Sequence, residues 1–399
     1  MNIIHTADWH LGQTFFGYDR THEHQKFLNW LCELLSSKKI DLLLIAGDLF
    51  DGPNPSAVAQ RLFYKFIHKA VTENPTLQII ITAGNHDSAT RLEAPNPLLE
   101  NFNVHIRGVV KRNDNAEIDY DHFIVPIDKD FCCLAVPYLR NGDYAPANNH
   151  DEGLRNFYSE LYNRAKEKYS KIIAMGHMHT SGAELSSDDR SERIIIGGLD
   201  CVDVKAFNND IIYTALGHLH KAQRVSGREN IRYAGAPLPM SFAERNNKQS
   251  VTQIAIEDDS IEIKQIEFTP PVRLISVPKS PLPVSQVIDE LKKLPKGKAD
   301  ESSPYLEIRV LITEPEPTMR QLIEESIEGH AVRIARIEAV TEQKEDCHQV
   351  PMTYDELKKI EPLELAKDIY RRKYGQEEIP EKMSELLNNV IIEVLEERE

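Results

Sequence analysis

The 399-residue chain has no apolar run near the roughly 18–20 residues that a membrane-spanning helix needs. No basic n-region or apolar h-region precedes the strand-like Asn2-Ile3-Ile4-His5, so no secretory signal is expected. Cysteine is sparse. The five residues Cys32, Cys132, Cys133, Cys201 and Cys347 show neither metal-ligand nor disulfide-framework spacing, and read as reduced thiols of a cytoplasmic protein. A Gly-x-x-x-x-Gly-Lys-Ser/Thr phosphate loop is missing, so any dependence on ATP would come from another chain. Positive charge is also short, with 47 Lys and Arg against 63 Asp and Glu and a net charge of −16. That balance argues against a general nucleic-acid binder with a basic footprint. Cations held in a carboxylate-rich site would offset part of it locally, and a partner can carry DNA-binding charge.

What remains is soluble and globular, at 41% hydrophobic and 28% charged, with length for two or three domains. Five short segments stand out: Asp8-Trp9-His10, Gly47-Asp48-Leu49-Phe50-Asp51, Gly84-Asn85-His86-Asp87, Gly176-His177-Met178-His179 and Gly217-His218-Leu219-His220. Each follows an apolar stretch: Ile3-Ile4, Leu42 to Ala46, Ile79 to Ile81, Ile172 to Met175, and Ile211-Ile212-Tyr213. Continuous apolar runs of this length read as buried strands. Phe27, Leu28, Leu31, Leu34 and Leu35 keep helical spacing, and a second helix is expected from Val58 to Val71. Strands alternating with helices predict an α/β layered fold with its site at the carboxyl ends of the strands.

This pattern is expected to occupy residues 1–268. Pro270, Pro271, Pro278, Pro281 and Pro283 then suggest a linker or domain entry. A small α+β unit is expected over 269–345, with helices Val287–Leu294 and Met319–Ile327 and a strand Tyr305–Ile312. Residues 346–399 are acidic and helical in pattern. Met383, Leu386, Leu387, Val390, Ile391, Val394 and Leu395 form one stripe, and a looser one covers Leu357 to Tyr374. These stripes either fold back on their own chain or grip a partner.

The five segments hold the ligand inventory of a site for two divalent cations. Such a pair clamps a phosphodiester and activates water for in-line attack. One carboxylate must bridge the two, and Asp48 is central in the motif order. Mixed imidazole and oxygen ligands suit Mn²⁺, Fe²⁺ or Zn²⁺ better than Mg²⁺. The generic alternatives are turn-capping roles for the same residues, or a metal that only stabilises the fold.

The same residues resemble the calcineurin-like metallophosphoesterases. Thr6-Ala7-Asp8-Trp9-His10-Leu11-Gly12, Gly47 to Asp51 and Arg232 to Phe242 are more specifically similar to the SbcD family, nuclease subunits of bacterial SbcC–SbcD complexes. The resemblance implies one metal on Asp8, His10, Asp48 and His220, and a second on Asp48, Asn85, His177 and His218. It implies Mn²⁺, with Mg²⁺ as the alternative ion. His86 would stabilise the transition state or protonate the leaving oxygen, with Asp87 orienting its ring. The layout implies a capping domain at 269–345 that binds DNA and C-terminal helices that bind an SbcC-like ATPase. It further implies a homodimer formed by the helices at 56–71 and 91–102. The expected activity is double-strand exonuclease and hairpin endonuclease; a stand-alone phosphoesterase for small substrates is the alternative.

Other polar residues get quieter readings. His179 is expected to be a non-ligand and Asp51 a turn or supporting residue. His5, His22, His24, His68, His105, His122, His150, His330 and His348 lack motif context. The clusters Arg107, Lys111, Arg112 and Arg224, Arg228 could meet phosphates or simply be solvated.

Overall fold

The computed structural model describes residues 1–184, 201–257, 260–312 and 317–341, with scattered positions between 363 and 387. The chain divides into two compact units, Met1–Glu342 and Gln343–Glu399. Residues 186–193, polar in sequence, and most of the C-terminal stripes lie outside the described residues. Within the second unit, Leu363, Ala366, Lys367 and Tyr370 are helical, as are Met383, Ser384, Leu386 and Leu387.

The first unit is built on two six-stranded sheets. One runs in the order Ser260–Glu267, Ser250–Glu257, Asn2–Thr6, Leu42–Ala46, Gln78–Thr82, Val104–Arg107. The other runs Gln223–Val225, Arg228–Tyr233, Tyr213–Gly217, Lys171–His177, Phe131–Ala135, Ile124–Pro126. The strands that carry the motifs pair in parallel. They are apolar throughout because both faces are covered. Leu42, Leu44 and Ala46 pack with Ile173, Met175 and Ala215 between the sheets, whereas Leu43 and Ile45 face the helices Thr21–Ser37 and Ala57–Glu73. On the far side, helix His150–Ala165 lays Leu154, Phe157 and Leu161 over Leu134, Ile172 and Leu216. The result is four layers, helix–sheet–sheet–helix.

Two expected elements come out differently. The helix read over 91–102 is broken into Ala89–Glu93, Asn96–Leu99 and a 3-10 turn Glu100–Phe102, because Pro95 and Pro97 interrupt the ladder. The proline-rich stretch read as a linker is partly a strand, Leu274–Leu282. It lies at the edge of a three-stranded sheet with Tyr305–Ile312 and Arg333–Thr341, where missing N–H donors are tolerated. Helices Val284–Leu291 and Met319–Ser326 cover this sheet, closing a core of Val287, Leu291, Leu306, Ile308, Val310 and Ile323. A second cluster, Phe15, Phe242, Val272 and Tyr305, joins it to the sandwich.

Candidate metal centre

The strand pairing continues past the strand ends and brings the first two motifs together. Asp8 N donates to Gly47 O at 3.1 Å, His10 N to Asp48 O at 3.0 Å and Leu11 N to Leu49 O at 2.9 Å. Between the two polar side chains, Trp9 points the other way. It is fully buried, edge-on to Phe27 and Phe66 with ring centroids 5.6 and 5.2 Å away. Truncating a buried indole to alanine costs about 3–5 kcal/mol, so the turn is anchored while its neighbours face the cleft.

Each carboxylate has one oxygen tied down and the other presented. Asp8 Oδ1 accepts His218 N at 2.9 Å, and Asp48 Oδ1 accepts His86 N at 2.8 Å. The close approach requires glycine: a Cβ on Gly84 would lie 2.1 Å from Asp48 Oδ1, and one on Gly217 would lie 1.9 Å from Ala46 O. Asp48 Oδ2 is 3.2 Å from His177 Nε2 and 3.8 Å from His10 Nε2. Asn85 Oδ1 is 2.9 Å from His177 Nε2 and 3.0 Å from His218 Nδ1. Two groups offer converging ligand atoms within 4.8 Å of one another: Asp8, His10 and His220, and Asp8, Asp48 and His177. All the residues that the resemblance assigned to metal therefore meet at one place. The first sheet contributes Asp8, His10, Asp48 and Asn85; the second contributes His177, His218 and His220.

The electrostatics call for positive charge here. Burial pushes the Asp8 carboxyl up to about 6, against the pull of His177, His220 and His10. Burial pushes Asp48 the same way, but His177, His10 and His86 outweigh it and hold that carboxyl well below the usual range. Burial opposes a charged His177, yet Asp48 and Asp8 raise its imidazole to about 10. Meanwhile the buried Asp8 Oδ2 and His10 Nε2 make no hydrogen bond. Buried polar atoms are otherwise paired as a rule. Orphaned oxygen and imidazole donors around two carboxylates fit a pair of divalent cations.

His86 borders this cluster, its ring centroid 4.9 Å from that of His10. Its Nδ1 is 3.1 Å from Asp51 O; a carbonyl only accepts, so Nδ1 carries the proton and Nε2 is left for substrate. Asp87, expected beside this ring, has another job. Its carboxylate accepts Leu49 N at 3.1 Å, Phe50 N at 2.9 Å and Gly84 N at 3.0 Å, tying the second and third motif loops together. Consecutive residues point different ways, so adjacency in sequence misplaced it. The group that meets His86 is the Asp51 backbone, and Asp51 Oδ1 also lies 3.5 Å from His10 Nδ1.

Sequence reasoning missed Glu244. It is buried, with Oε1 3.5 Å from His220 Nδ1, and it lies just beyond the similar segment 232–242. His179 is half-buried and belongs to neither ligand group. His5 meets Tyr213 OH at 2.9 Å and His24 meets Trp9 O at 3.1 Å, so each is a buried core residue with one ring nitrogen paired. The basic clusters are internally paired. Arg107 binds His122 O, Lys111 lies 3.3 Å from Glu93, Arg112 binds Ala116 O and Gly142 O, Arg224 pairs with Glu229 and Arg228 meets Asn209.

Comparison with known proteins agrees with this geometry. Residues 1–222 match the calcineurin-like phosphoesterase family, and residues 270–374 match the type 5 capsule protein repressor C-terminal domain. The SbcD component of nuclease SbcCD from Rhodobacter capsulatus is 35% identical over 84% of this chain and 86% of its own. The Escherichia coli protein of the same name is 27% identical over 99% of this chain and 98% of its own. The Bacillus subtilis one is 33% identical over 63% and 65%.

Proposed function

Because this chain belongs to the calcineurin-like phosphoesterases and, within them, to the SbcD family, we propose that it is the nuclease subunit of an SbcC–SbcD complex. It hydrolyses DNA phosphodiesters, as an exonuclease at double-strand ends and an endonuclease at hairpins and single strands, in repair, recombination and replication. The single observation that carries the reading is the convergence of Asp8, Asp48, His10, His177 and His220 from two sheets around the orphaned Asp8 Oδ2 and His10 Nε2.

Asp8, His10, Asp48 and His220 would hold one cation, and Asp48, Asn85, His177 and His218 the other, Asp48 being common to both sets. Mn²⁺ suits the mixed donors. When bound there, such cations would supply polarisation of the phosphodiester and an activated water. Asp8 and Asp48 keep their presented oxygens fixed through the backbone N–H groups of His218 and His86. His177 Nδ1 donates to Ala46 O at 2.9 Å, which turns Nε2 into the site. His86 holds its Nε2 at the rim, where the ring, when it carries a second proton there, would donate to the leaving oxygen. Asp87 keeps the loops in register.

We assign residues 1–268 to the nuclease domain, 269–345 to a capping domain that contacts DNA, and 346–399 to the helices that bind the SbcC-like ATPase. Exposed Met383 and Leu386 support the last assignment. Exposed Val58, Tyr64, Leu98 and Phe102, on the helical segments at 57–73 and 96–102, support a homodimer contact there. No described helix is long and apolar enough to cross a membrane; the proposed compartment is the cytoplasm.

The test supplies Mn²⁺ and a DNA hairpin with and without the ATPase partner and ATP. Hairpin cleavage that needs both supports the proposal. Hydrolysis of bis-p-nitrophenyl phosphate alone, with DNA untouched, would replace it with a stand-alone phosphoesterase.

A further inference from the structure

The remote nitrogens of three imidazoles in the centre each face an oxygen. His177 Nδ1 is 2.9 Å from Ala46 O, His10 Nδ1 is 3.5 Å from Asp51 Oδ1, and His220 Nδ1 is 3.5 Å from Glu244 Oε1. The third contact is of a different kind, because the His220 and Glu244 side chains are each only 2% exposed. Glu244 sits in the 3-10 turn Phe242–Asn246, outside every motif. Its Oε2 accepts Met240 N at 3.0 Å, and Ser241 Oγ approaches Oε1 at 3.5 Å. Among the described residues no Lys or Arg pairs with it; the ring it faces is that of His220. A carboxylate stripped of water needs a compensating donor, and an imidazole N–H backed by a cation supplies one. The turn that carries it is rigid, since the adjacent Phe242 is buried among Phe15, Val272 and Tyr305.

We infer that Glu244 is a positioning residue of the metal centre, holding His220 with its proton on Nδ1 so that Nε2 is presented to the Asp8 and His10 group. Without it the ring can flip or change tautomer and withdraw its lone pair from the site. This rests on the two-cation reading of the centre.

Two measurements test it. Long-range ¹H–¹⁵N spectra of the ¹⁵N-histidine-labelled, metal-free full chain, at mildly alkaline pH, should show His220 protonated at Nδ1. Glu244→Ala should give a tautomer mixture, and Glu244→Gln, whose amide oxygen still accepts, should stay close to wild type. Mn²⁺ titration followed by electron paramagnetic resonance should show one of two sites weakened about 10–100-fold in Glu244→Ala and far less in Glu244→Gln. A wild-type His220 protonated at Nε2 overturns the inference, as does unchanged Mn²⁺ affinity in a folded Glu244→Ala. If the alanine variant does not fold, the wild-type tautomer decides. A wild-type chain that binds no Mn²⁺ would instead sink the metal reading itself.

Discussion

Removing one hydroxyl, in Tyr305→Phe, tests how the three-stranded sheet is held on the sandwich. Tyr305 OH donates to Glu23 Oε1 at 2.8 Å. Glu23 also receives Arg20 Nε at 3.0 Å and Nη2 at 2.9 Å, while Arg20 Nη1 reaches Gln13 Oε1 and Pro239 O, both at 2.8 Å. Arg20, Glu23 and Tyr305 are 0–1% exposed, so no water replaces a lost partner. A hydrogen bond to a charged group is worth about 1.5–3 kcal/mol, which sets the expected cost of Tyr305→Phe. Glu23→Ala should cost more, about 3–5 kcal/mol, because it strands a buried guanidinium. Thermal unfolding should fall by roughly 2 °C per kcal/mol, with faster hydrogen exchange in strand Tyr305–Ile312. In the double variant the hydroxyl has no carboxylate to lose, so its removal should then cost little. Strict additivity, or a Tyr305→Phe cost equal to that of Glu23→Ala, would refute the account of the knot.

Four further outcomes are expected. His86→Ala should keep its Mn²⁺ stoichiometry yet lose DNA cleavage; loss of metal in equilibrium dialysis would move His86 into the ligand set. Mn²⁺ at 100 times its dissociation constant should stabilise the chain by about 2.7 kcal/mol per occupied site, reversed by a chelator, and an unmoved melting curve would contradict the site. Gly84→Ala should abolish metal binding because its Cβ meets Asp48 Oδ1, whereas Gly52→Ala, with nothing within 4 Å, should bind like wild type. Burial opposes ionisation of Glu93, but His122 and the N–H groups of Gly108 and Val109 outweigh it and lower its carboxyl from 4.5 to about 2. Its folded value lies below the unfolded one. The stabilisation is therefore present above pH 4.5 and lost as pH falls towards 2, and Glu93→Gln should flatten acid unfolding in that window.

Much of this molecule is legible in its sequence because two signals coincide. Leu42 to Ala46 is apolar at every position since helices cover one face and the second sheet the other, and its end is marked by residues that turn chemistry alone would not select. The failures share a cause as well. The Tyr305–Glu23 contact spans 282 residues, beyond any local pattern. Glu244 is a lone acid after a proline-containing loop, indistinguishable in sequence from a solvated one. Asp87 was misplaced because the strand-to-turn backbone rotates its carboxylate towards Leu49 and Phe50, away from the neighbouring ring. The prolines at 278 and 281 masked a strand that an edge position permits.

Asp8, His10, Asp48 and His218 all have positive φ, at 54°, 45°, 48° and 102°. Asp, Asn and His enter that region more readily than most side chains that are not glycine. The vocabulary of the centre is thus restricted twice, by what a cation accepts and by what the turn allows. Glutamate satisfies the first demand and strains the second; glycine does the reverse. Glycine at any of the four relieves the backbone and forfeits the ligand, so these positions are confined to the short list of Asp, Asn and His, which meets both demands.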